Sequence, residues 1–203
     1  MDNPFLTTCI LLFLIIDPVG NLVAFATILK NFDAARRRRI ILRECLIGCA
    51  ILVVFSLWGR AILSALNLSN SSLGITGGIM LFLIAIKMLF KDGHGIAEEM
   101  EHSAATEPFI VPLAMPLFAG PAAIATIVLR ATQFPGASWS FLGATLLTGA
   151  VATAIIVFGD PILNRIGHRG VNALERLMGL LLTILSVQMI LDGIGTFVAG
   201  LPR

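Results

Sequence analysis

The chain contains no tyrosine, three histidines, three cysteines and only 13% charged residues. A soluble domain carries roughly a quarter charged residues. Here 57% of 203 residues are apolar. That excludes an ordinary soluble domain, whose surface-to-volume ratio forces a substantial polar exterior. Short segments of alternating polarity are missing too, which argues against a transmembrane β-barrel. His94, His102 and His168 all fall in expected loops, and no metal site or nucleophile–base pair stands out. Cys45 and Cys49 lie four apart on one helix face, but no His, Asp or third Cys completes a metal site beside them. With Cys9 they read as buried thiols, without a disulfide. No Gly-rich loop ending in Lys-Ser or Lys-Thr is present, so an internal ATPase is not expected. The N-terminus lacks a basic region and a small-residue cleavage site, so the first apolar stretch reads as a retained helix rather than a signal peptide.

What the chain does have is apolar spans of about 20 residues, the length that crosses a bilayer as a helix. Six are expected: Pro4–Leu29, Ile40–Leu66, Leu73–Phe90, Pro108–Ala131, Trp139–Phe158 and Leu174–Val198. The third looks short and its start is sought among the Ser and Asn residues before Leu73. The fold expected is all-α, one polytopic transmembrane domain over residues 1–203.

The positive charges sort onto one side. Lys30, Arg36, Arg37, Arg38, Arg39, Arg43, Lys87, Lys91, Arg165, Arg169 and Arg176 are eleven of the fourteen Lys and Arg residues. Arg60, Arg130 and Arg203 fall on the other side. Positive charge marks the cytoplasm, so both termini are expected in the periplasm. The acidic loop with Glu98, Glu99, Glu101 and Glu107 does not reverse this, because acidic residues contribute little to topology. The run Arg36 to Arg39 reads as a topology anchor; nothing else supports nucleic-acid binding.

The chain divides near residue 100 into halves of about 1–98 and 104–203, each with three spans, joined by the acidic loop. Gly78 and Gly179, Lys87 and Gln188, and Met88 and Met189 match at a separation of 101 residues. Pro18 and Pro121 match at 103. Three spans per half reverse the second half, which predicts an inverted-topology repeat, a common plan for secondary transporters. The first span carries Asp17-Pro18-Val19-Gly20-Asn21. The fourth carries Pro116, then Gly120-Pro121-Ala122-Ala123. Proline removes a backbone donor and disrupts the preceding turn. Freed backbone groups are tolerated only in a protein interior or a polar cavity. Corresponding breaks in two halves are the best sequence pointer to a central substrate site. The expected binding residues are therefore Asp17, Pro18, Gly20, Asn21, Pro116, Gly120, Pro121 and Ala122. A carboxylate inside a membrane usually faces an interior or a pathway. Asp17 is expected to bind a substrate ammonium or coupling cation, or to take up a proton, and Asn21 to hydrogen-bond a carboxylate or amide.

Other features have plainer readings. Lys87 and Gln188 sit near the cytoplasmic ends of their spans, where Lys87 can snorkel. Glu175 is expected at the start of span six, where it fits dipole stabilisation or pairs with a loop-one arginine. Lys87, Gln188 and Glu175 are kept as supporting polar residues. Gly74, Gly77, Gly78, Gly149 and Gly179 permit close helix contacts.

These motifs together resemble the MarC family of bacterial inner-membrane proteins, also called UPF0056. The likeness runs from Asp17-Pro18-Val19-Gly20-Asn21-Leu22 through Arg37-Arg38-Arg39 and Arg43-Glu44. It continues in Gly77-Gly78-Ile79 through Lys87-Met88, and in Pro108-Phe109-Ile110-Val111-Pro112-Leu113-Ala114 with Pro116-Leu117 and Gly120-Pro121. It ends in Glu175-Arg176-Leu177-Met178-Gly179 through Gln188-Met189. Family members often carry a proline where this chain has Val23. The resemblance implies an inner-membrane location, and it implies kinship with proteins described as neutral amino acid transporters. The function expected is a secondary transporter or exporter of a small neutral amino acid or related metabolite, coupled to H+ or Na+. Its partners would be membrane lipids and the solute, with no cofactor and no metal. Two other classes compete. A membrane assembly or regulatory factor would copurify with a partner complex and move no solute. An intramembrane enzyme acting on an envelope precursor would turn over membrane extract.

Overall fold

Short-range signals set where each helix starts and stops. The computed structural model describes residues 3–29, 31–90, 118–134 and 136–201. Among them are seven helices: α1 (Pro4–Ile16), α2 (Pro18–Ile28), α3 (Ala34–Ala65), α4 (Asn70–Leu89), α5 (Pro121–Gln133), α6 (Ser138–Phe158) and α7 (Asp160–Ala199). Asn3, Asp33 and Ser69 cap α1, α3 and α4, each accepting from a backbone N–H of the first turn. Such caps satisfy donors that a helix start leaves open. The Asp33 cap corrects one expectation. Arg36 to Arg39 are not in a loop but in the opening turns of α3, because Asp33 Oδ2 accepts the Arg36 N–H at 3.1 Å and starts the helix early. The third span starts at Asn70, among the polar residues before Leu73.

Five helical stretches are long and apolar enough to cross a bilayer: Pro4–Ile28, Ala34–Ala65, Asn70–Leu89, Ser138–Phe158 and Gly170–Ala199. The fourth expected span is described only as α5. Its 13 residues extend about 20 Å, short of a hydrocarbon core of about 30 Å. The acidic loop, the stretch from Pro108 and Pro116 itself lie outside the described residues. The sixth span runs inside α7, which bends at Gly167, where φ is 70° and ψ is 167°.

Polarity is arranged for lipid. Large apolar side chains such as Leu46, Trp58, Leu83, Trp139 and Ile184 are exposed, while Thr8, Thr145, Thr148 and Ser186 are buried. An apolar surface of that extent belongs against another apolar phase. Helix α4 packs along α7, and α3 lies against α5 and α6. Helix α1 lies against α6, and α2 touches α6 and α7. The α4–α7 contact uses small residues. A Cβ on Gly78 would stand 2.9 Å from the Ser186 carbonyl oxygen, and one on Gly179 would stand 3.2 Å from that of Ala85. Without a hydrophobic driving force between helices in lipid, such close approach is what holds them. Arg38 lies 5.8 Å from the Phe158 ring, so the start of α3 and the end of α6 share one end of the bundle.

Candidate functional site

Asp17 interrupts the first span. Its φ of 44° and ψ of 68° put it in the left-handed region, an uncommon conformation that Asp tolerates better than most side chains. It serves two helices at once. Its N–H donates to the carbonyls of Phe13 and Leu14, ending α1. Its Oδ1 accepts the Gly20 N–H at 3.2 Å, capping α2. Pro18 is the first residue of α2, where its missing donor costs nothing. The Asn21 N–H bonds the Asp17 carbonyl at 2.9 Å. Asn21 Nδ2 reaches back to the Ile16 carbonyl at 2.6 Å. The Asn21 amide thus ties α2 back to the end of α1. Asp17, Pro18 and Asn21 are all buried. Gly20 is required by proximity, since a Cβ there would collide with the Asp17 carboxylate and lie 3.2 Å from the Met88 methyl.

The second break is plainer. Gly120 is extended, at φ −70° and ψ 162°, and Pro121 opens α5 with no side-chain cap. Ala122 and Ala123 follow, both buried. Fully buried Phe118 and Ala119 share the main core cluster with Ile16, the residue before the first break. Ala122 joins a second cluster, against which Ile15 and Met88 pack. Residues beside both breaks therefore pack into the same buried interior, Ile16 in one cluster with Phe118 and Ala119, and Ile15 against the cluster that holds Ala122. Pro116 lies outside the described residues.

The supporting residues separate. Glu175 is buried on α7, a helix that α2 contacts. It does not sit at a helix start, because α7 is already helical over the preceding turn. Its dipole role is corrected accordingly. Lys87 is exposed in the last turn of α4. Gln188 is away from the breaks, bonded through Nε2 to Asp192 Oδ1 at 2.7 Å. Glu44 is fully buried on α3, 2.9 Å from its neighbour Arg43. Cys9, Cys45 and Cys49 are free thiols. Among the described residues no group of three His, Cys, Asp or Glu is placed to hold a metal.

The sequence matches the pattern of the MarC family integral membrane proteins over residues 3–198. The chain belongs to the MarC family. It is 46% identical over 192 residues to a UPF0056 membrane protein of Buchnera aphidicola from Schizaphis graminum, covering 95% of this chain and 96% of that one. It is 43% identical over 198 residues to the UPF0056 inner membrane protein YhgN of Escherichia coli K12, covering 98% and 100%. A UPF0056 membrane protein of Methanocaldococcus jannaschii is 32% identical over 188 residues, covering 90% and 92%. No solved structure matches the chain. MarC membership and the apolar helices make this a multi-pass protein of the inner membrane.

This MarC protein also has a cavity of about 240 Å³ that the sequence reading missed. It opens between the C-terminal ends of α5 and α7, beside α1 and the first residue of α4. Its polar lining includes Asn70, Arg130, Gln133, Gln188, Asp192 and Thr196, and Ile15 and Thr126 also line it. A signal was present: Gln188, Asp192 and Thr196 recur every four residues, one polar stripe on an otherwise apolar helix.

Proposed function

We propose that this MarC protein is a secondary transporter of a small neutral amino acid or related metabolite, coupled to H+ or Na+. The substrate class follows from the family resemblance. The observation that carries the transport reading is the capped break at Asp17, a buried carboxylate between two helix ends in an apolar span. Buried ionisable groups in spanning helices mark ion and substrate pathways. Broken helices that meet near the middle of the chain's packing are the transporter plan for such pathways. Asp17 takes the coupling cation or the substrate ammonium. Backbone groups at Gly120 to Ala122 line the facing side.

We read the architecture as six spans in two inverted halves, with both termini periplasmic. Packing supports the inversion. The close approach of Gly78 to Ser186 has its counterpart in that of Gly179 to Ala85, and each pair maps onto the other by the same 101-residue shift. Antiparallel α4 and α7 then relate by a two-fold axis in the membrane plane.

Uptake into proteoliposomes tests the function. Neutral amino acids should accumulate under an imposed H+ or Na+ gradient, and Asp17→Asn should abolish accumulation. If no amino acid or related solute across a broad panel moves faster than in empty vesicles, the proposal fails.

A further inference from the structure

The cavity beside α1 is lined by two charged side chains of opposite sign, Arg130 from α5 and Asp192 from α7. Among the described residues neither forms an ion pair. Arg130 sits in the last turn of α5, where a cation complements the helix dipole. Its guanidinium still has a planar donor fork matched to a carboxylate. Asp192 receives the Gln188 amide on Oδ1. That bond orients the carboxylate and leaves Oδ2 uncommitted among the described residues. The lining between them includes the apolar side chains of Leu11, Ile15, Leu129, Leu185 and Met189. At about 240 Å³ the space is below the roughly 300–1,000 Å³ of drug-sized pockets, so it suits a solute of few atoms.

We propose that this cavity is a binding site for a small zwitterion with an apolar body, its carboxylate on Arg130 and its ammonium on Asp192. The paired charges select for zwitterions. A simple anion meets Asp192 as well as Arg130, and a simple cation meets the reverse. The apolar lining takes the body of the solute. The site lies between the C-terminal half of α5 and the C-terminal part of α7, beside Asn70 and the second half of α1 at Leu11 and Ile15, so with periplasmic termini it opens on the outer side. It stands on its own residues and does not require that the break at Asp17 conducts.

Equilibrium binding of radiolabelled alanine to the full chain in nanodiscs tests it, with propionate and ethylamine as single-charge competitors. Alanine should bind, and each competitor should displace it at least roughly tenfold more weakly than unlabelled alanine. Arg130→Gln and Asp192→Asn should each weaken alanine binding roughly ten- to a hundredfold. Arg130→Lys keeps the charge without the fork and should fall between wild type and Arg130→Gln, which separates a lost contact from a lost fold. Unchanged alanine affinity in both charge variants, or no alanine binding to the wild type, overturns the proposal. Binding with the expected variant pattern but no uptake would leave this site standing and sink the transport reading instead.

Discussion

The two helix breaks do the same topological job with different chemistry. At Asp17 the chain closes its own ends, with the carboxylate on the Gly20 N–H and the Asn21 amide on the Ile16 carbonyl. At Gly120 no side chain caps α5, and the segment is held by the burial of Phe118, Ala119, Ala122 and Ala123. The first break is a polar motif written within five residues. The second is a gap that packing keeps in place. At the breaks, charge and hydrogen bonding are therefore concentrated in the first, while the second contributes backbone and shape.

Substitutions can break this comparison. The largest effect is expected on transport. Asp17→Asn keeps an acceptor for the Gly20 N–H and a side chain tolerated in the left-handed region. It should fold normally, yet lose uptake by more than about tenfold, because a buried charge is removed. Gly120→Ala should retain uptake, as its extended backbone suits any residue. Equal losses in both would mean that the breaks are equivalent after all.

Stability sharpens the contrast. Asp17→Ala loses the cap and places a methyl-bearing residue in the left-handed region, costing about 2–3 kcal/mol. Asp17→Gly loses the same cap without the strain, so thermal unfolding in detergent should rank it between wild type and Asp17→Ala. Asn21→Leu leaves the Ile16 carbonyl without its amide donor in a buried setting and should cost about 1–3 kcal/mol. Gly20→Ala drives a methyl into the Asp17 carboxylate and toward Met88, for about 1–3 kcal/mol. The smallest effect belongs to the second break. Gly120→Ala should shift stability by only about 0.5–1 kcal/mol, measured in the same melts. A larger shift there than in Gly20→Ala would reverse the assignment of the self-capped break to the first half.

Sequence reading reached some of these residues and not others, for identifiable reasons. Pro18 announces a break because a residue without an N–H interrupts any helix, whatever surrounds it. Asp17 and Asn21 announce polarity for the same local reason. Their bonding was less accessible. That the Asn21 amide bonds the Ile16 carbonyl follows from how the break closes, which residue type alone does not show. Glu175 marks a helix start by sequence, yet it sits one turn or more inside α7, because the helix continues from the residues before it. Arg130 was counted only as a rare charge on the outer side. It lines one cavity with Asp192 only because α5 and α7 are brought together.

Composition and local chemistry alone determined that the chain is helical and membrane-embedded, that its first span breaks at Asp17–Pro18, and that it resembles MarC proteins. Those features depend on hydropathy over about 20 residues and on hydrogen bonds within one turn. Tertiary structure decided that Ile16 shares a core with Phe118, that α4 and α7 approach through Gly78 and Gly179, and that Arg130 and Asp192 share a cavity. Each brings together elements far apart in sequence, and the close helix approach depends on small residues at the contact.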